Sequence, residues 1–142
     1  MACSWTATSC LTSPRTIPVG AAGPHVRSQG CPLGRAGYTA LIINPLIYAE
    51  VSIGCTTIEA LDAALPATLY RREPLPWEAG FLAGKSFVQY RRRGGLRTAP
   101  LPDFYIGAHA AIGRLALLTR DAARYRSYFP KVEILAPTKR GM

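Results

Sequence analysis

Hydrophobic and polar positions fall into order only from Ala40 onward. "ALII" (Ala40–Ile43) is a short apolar run of the buried-strand type, and Asn44-Pro45 follows it as a helix cap with proline at the first helical position. This predicts a helix from Pro45 to about Ile53. "TTIEALDAAL" (Thr56–Leu65) sets Ile58, Leu61 and Leu65 on one helical face before Pro66 ends it. A third helix starts at Pro76, aligns Trp77, Phe81, Leu82 and Phe87 or Val88, and runs into Gly94-Gly95. "LPDFYIGAHAAIGR" predicts a helix from Pro102 or Asp103, "LALLT" (Leu115–Thr119) a buried strand, "DAARYRSYF" (Asp121–Phe129) a short helix and "VEILA" (Val132–Ala136) a last strand.

Strands alternating with helices imply an α/β fold with a parallel sheet covered on both faces. Residues 1 to 39 differ in kind. They mix Pro, Gly, Ser, Thr and Cys with Arg as their only ionised side chain, no window supports an element, and the segment is expected to be a disordered tail. The chain thus divides into an aberrant segment, 1–39, and a domain, 40–139.

Composition sharpens this picture. The 142 residues suffice for one domain with a core, and 49% hydrophobic with 18% charged residues is the balance of a folded protein. A net charge of +9 favours a polyanionic partner, nucleic acid first. Cys3, Cys10, Cys31 and Cys55 have no metal-ligand spacing, and no apolar run approaches the length of a membrane span. With no secretory signal at the start, the expected place is the cytoplasm, with reduced thiols and no membrane partner.

The acids are few, and none precedes Glu50. In a parallel α/β fold each helix runs back antiparallel to its strand, so the start of one helix and the end of the next strand share an edge. About ten helical residues descend roughly 15 Å, and five strand residues climb roughly 16 Å. Asp103 and Asp121 should therefore meet at the carboxyl edge, with Glu50 a turn or so into the helix that leaves the same edge. Three such carboxylates repel unless a hard divalent cation, Mg²⁺ or Mn²⁺, lies among them. On a basic protein that constellation suggests metal-assisted phosphodiester cleavage. By pattern alone the plainer reading stands beside it: Asp103 complements a helix dipole and Asp121 is an N-cap.

Three motifs, "INPLIYAEVS", "LPDFYIGAHA" and "LLTRDAARYRSYFP", resemble the PIN domain, in particular the VapC-type toxins of bacterial toxin–antitoxin pairs. The resemblance covers roughly residues 40 to 137. It implies a three-layer α/β/α sandwich with a parallel sheet and a Mg²⁺- or Mn²⁺-dependent ribonuclease site. It further implies silencing by a VapB-type antitoxin, and the homodimer common in the family. Carried over by motif, the catalytic and metal-holding acids are Glu50, Asp103 and Asp121. RNA backbone is expected at Arg91, Arg92 and Arg93, within a basic glycine-containing loop that reads either as a solvated turn or as a phosphate-gripping flap. Arg120, Arg124 and Arg126 flank Asp121 and are candidates for phosphate contact. His109 is expected to be packed or exposed rather than catalytic. Tyr48, Tyr105, Tyr125 and Tyr128 read as packing residues before base-stacking ones. Glu59, Asp62, Glu73, Glu78 and Glu133 read as surface charges.

The family opens with an apolar strand ending in an aspartate, the site's first ligand. This chain has "ACSWTATSCLT" there. The expectation is that residues 2 to 39 are that opening read out of frame, which regrouping each codon's last base with the next codon's first two brings out. Trp5-Thr6 then necessarily contains GAC, aspartate. Ala2-Cys3 and Ser4-Trp5 each become Leu, Met or Val, and Thr8-Ser9 and Ser9-Cys10 admit two more apolar residues. The expected opening is thus permitted in the alternate frame, and the first strand is expected to be missing or aberrant in the chain as written. Loss of its aspartate makes activity doubtful. The rival expectation is a catalytically dead protein that binds antitoxin or RNA without cleaving it.

Overall fold

The computed structural model describes residues 9–12, 41–119 and 121–136. The order is β1 (Ser9–Thr12), β2 (Leu41–Ile43), α1 (Pro45–Ser52), α2 (Ile58–Ala64), β3 (Tyr70–Arg72), α3 (Trp77–Arg92), α4 (Pro102–Gly113), β4 (Ala116–Thr119), α5 (Ala122–Tyr128) and β5 (Ile134–Leu135). It is a mixed α/β arrangement on one five-stranded sheet, ordered β3-β2-β1-β4-β5.

Two outer pairs, β2 with β3 and β4 with β5, are parallel. The central strand is not: β1 runs antiparallel to both β2 and β4, with Ser9 opposite Thr119 and Leu11 opposite Ile42. This corrects two expectations, an all-parallel sheet and a first 39 residues without any element. The cause is backbone accounting. Buried Ile42 and Leu117 belong to strands whose inner N–H and C=O groups need partners, and a four-residue run meets that need in either direction. The rest of the 1–39 segment lies outside the described residues.

β3 is a second element that periodicity missed. Only Tyr70 of "YRR" is buried, and as an edge strand it carries two exposed arginines, which keep such an edge from pairing further. α2 buries Leu61 and is followed by buried Leu65, whereas Ile58, expected on the same face, is exposed. α3 is turned relative to its predicted face. Its buried residues are the small Ala79, Ala83 and Ser86, while Trp77, Phe81 and Val88 face outward, Trp77 at 93% exposure. Small side chains at that i, i+4, i+7 spacing let the helix approach closely, and α3 packs against α4.

α4 is apolar nearly all round and runs through the centre of the core, burying Phe104, Ile106, Gly107, Ala108, His109 and Ala110. It ends at Arg114, which takes a left-handed conformation with φ of 50° and so turns the chain into β4. No helix among the described residues is long and apolar enough to cross a membrane. Gly107 lies against the buried ring of Phe129, and a Cβ there would overlap the ring. Gly107→Ala should therefore destabilise the protein by about 1–3 kcal/mol despite alanine's better helix propensity. Urea unfolding of the variant tests this, and a stabilised variant would contradict the packing.

Candidate functional site

The site begins with Asn44. This buried residue directly follows β2, and its Oδ1 accepts from the backbone N–H groups of Leu46 (3.1 Å) and Ile47 (3.0 Å) and so caps α1. Because those two bonds fix the oxygen, the amide nitrogen Nδ2 must point the other way. It donates to His109 Nδ1 at 3.2 Å. His109 is thereby assigned as the neutral tautomer with its proton on Nε2. Burial pushes its pKa down from the ordinary 6.5, with Glu73 opposing more weakly. His109 is packed, as one of its two expected settings had it, and it ties α1 to α4.

Glu50 lies in the second turn of α1, and Asp103 in the first turn of α4. The two line one cleft of about 430 Å³ with Tyr90, Arg97, Leu101, Pro102, Phe104, Arg124, Ser127 and Tyr128. Burial, and then the neighbouring charge of Asp103, push the pKa of Glu50 up. Asp121 caps α5, its Oδ1 accepting from the Arg124 N–H at 3.3 Å.

Arg124 joins the two aspartates. Its Nη1 donates to Asp103 Oδ2, and its Nε lies 3.2 Å from Asp121 Oδ2. Tyr125 donates through its hydroxyl to Asp103 Oδ1 at 3.1 Å. Asp103 and Asp121 are thus joined through a guanidinium, and Glu50 shares the cleft with Asp103. An all-carboxylate donor set suits a hard divalent cation in kind. Among the described residues no three His, Cys, Asp or Glu side chains are gathered closely enough to hold a metal.

The expected RNA-contacting arginines divide. Arg91 is spent on the loop it belongs to, its Nη1 donating to the carbonyls of Gly95 and Arg97, both at 3.0 Å. Arg93 donates to Ser127 Oγ at 2.8 Å and lies over the Tyr128 ring. Arg92 is exposed, as is Arg126, and Arg120 lies outside the described residues. Sequence reasoning missed Arg97, which lines the cleft. Its position depends on Tyr90: Gly95 packs against that ring, and the Arg97 N–H donates to the Tyr90 hydroxyl at 3.4 Å. The Gly94-Gly95 pair was the available signal, since Gly94 has a φ of 85° and folds the loop back onto α3.

Of the remaining acids, Asp62 is more than a surface charge. It accepts from the Tyr48 hydroxyl at 2.9 Å and from Arg72 at 2.6 Å, and those two bonds pull its pKa down. Glu73 pairs with Arg71. Tyr125 is buried, and Tyr128 packs edge-on against Phe104.

No protein-family model matches the chain, and neither a curated protein nor a solved structure matches it.

The burial of His109 carries a pH dependence. A folded pKa below the unfolded one means that the unfolded chain takes up the proton first, so stability is full above about pH 6.5 and falls as pH drops below it. His109→Gln should flatten that part of the stability curve between pH 7.5 and 5.5. Urea midpoints across this range check it, and an unchanged slope would show that His109 titrates alike in both states.

Proposed function

We propose that this chain is a PIN-like protein of the VapC toxin type, whose chemistry is metal-dependent hydrolysis of RNA phosphodiester bonds. In this reading the sheet is the middle layer of an α/β/α sandwich, and β1 stands where the family's first strand would lie. The observation that carries the reading is that Glu50 and Asp103, from two different helices, line one cleft together with Arg97 and Arg124.

Glu50, Asp103 and Asp121 would hold Mg²⁺ or Mn²⁺, which would activate water and offset charge on the phosphate. The chain's own part is recognition and placement. Arg97, with the exposed Arg92, offers guanidinium groups to phosphate oxygens. Phe104 and Leu101 wall the cleft beside Asp103. The partners of this reading are RNA as substrate and a VapB-type antitoxin, with a homodimer as the assembled form, in the cytoplasm.

A second reading, a PIN-like protein that binds antitoxin or RNA without cleaving, draws on a specific observation. Arg124 bridges Asp103 and Asp121, and the reversed central strand brings Ser9, not an acid, to their edge.

The two readings part on one assay. With Mn²⁺ and single-stranded RNA, the nuclease reading expects chelator-sensitive cleavage that falls at least about 100-fold in Asp103→Asn. Salt-sensitive RNA binding without cleavage in either protein would favour the second. Cleavage retained in Asp103→Asn with the same metal dependence would remove Asp103 from the site.

A further inference from the structure

We propose that Arg124 is a built-in counter-ion for Asp103 and Asp121, and that a divalent cation reaches these acids only by displacing it. The inference rests on reading the cleft as a metal site, and it concerns what that site does before metal arrives.

All four carboxylate oxygens of the two aspartates are engaged by consecutive residues of α5. Asp103 takes the Tyr125 hydroxyl on Oδ1 and Arg124 Nη1 on Oδ2, while Asp121 takes the Arg124 backbone N–H on Oδ1 and lies against Arg124 Nε through Oδ2. Glu50 has no ion pair among the described residues. The guanidinium therefore shares its one positive charge between two of the three acids, and Glu50 has no such partner among the described residues.

A guanidinium and a divalent ion make different demands. The first is a flat fork whose N–H groups point outward, so it spans carboxylates held apart. The second draws oxygens to about 2.1 Å around one point. The same acids cannot satisfy both. Occupation by Arg124 thus accounts for the lack of a three-ligand group among the described residues, although the acids share an edge.

The contacts are partly open to solvent, with Arg124 at 45% exposure, Asp121 at 39% and Asp103 at 20%. Such a pair is worth little, so it lowers metal affinity without abolishing it. The charge exchange also favours entry: a divalent ion replaces a single positive charge, and Glu50 gains a partner.

Mn²⁺ titration of the full-length chain, by calorimetry and by water-proton relaxation, tests the inference without requiring activity. Arg124→Gln should bind Mn²⁺ about five- to tenfold more tightly than the wild type. Arg124→Lys, which keeps the charge and loses the fork, should fall between them, and it serves if the glutamine variant does not fold. Asp103→Asn should bind most weakly. Equal or weaker binding by the Arg124 variants, with loss in Asp103→Asn, would overturn the counter-ion and leave the metal site standing. Absence of Mn²⁺ binding in every protein would overturn both.

Discussion

The geometry of the cleft depends on one buried side chain. Asn44 spends its amide oxygen on the first turn of α1 and its amide nitrogen on His109, so a single planar group sets the direction in which α1 leaves β2 and its separation from α4. Glu50 rides on the first of these helices and Asp103 on the second. A planar amide with both ends engaged has no rotational slack, and burial of both partners makes any alternative costly. Glu50 and Asp103 line one cleft because a polar bond in the core, and not the acids themselves, links their helices.

Around that link the charges are arranged economically. Most of the basic side chains near the cleft already have work inside the protein: Arg91 clasps a loop, Arg93 lies on Tyr128 beside Ser127, and Arg124 bridges two acids. A strongly positive sequence thus presents fewer open guanidinium groups at its cleft than its net charge suggests. Arg97 is placed there indirectly, through Gly95 and Tyr90.

Much of the domain was legible because its signals were local. Asn44-Pro45 marks the start of α1 by cap chemistry, and Asp121 caps α5 as its position after a strand implies. The meeting of Asp103 with Asp121 followed from matched helix and strand lengths. What sequence could not give was set by tertiary partners. The face that α3 buries was decided by the room its alanines leave, against the pull of Trp77 and Phe81. β3 has two arginines in three residues and no alternation to read. The use of Arg124 could not be inferred from its spacing, because the acid it reaches across the cleft is far away in sequence. The direction of β1 had no local signal at all.

The reversal of β1 also changes how the chain is threaded. A parallel neighbour of β2 would leave from the opposite end of the sheet and need a crossover to return. Running antiparallel, β1 finishes at the edge where β2 begins, so the ends at Thr12 and Leu41 lie on one side. A tight hairpin could join them. The sheet itself therefore sets no minimum span for the connection between these two ends.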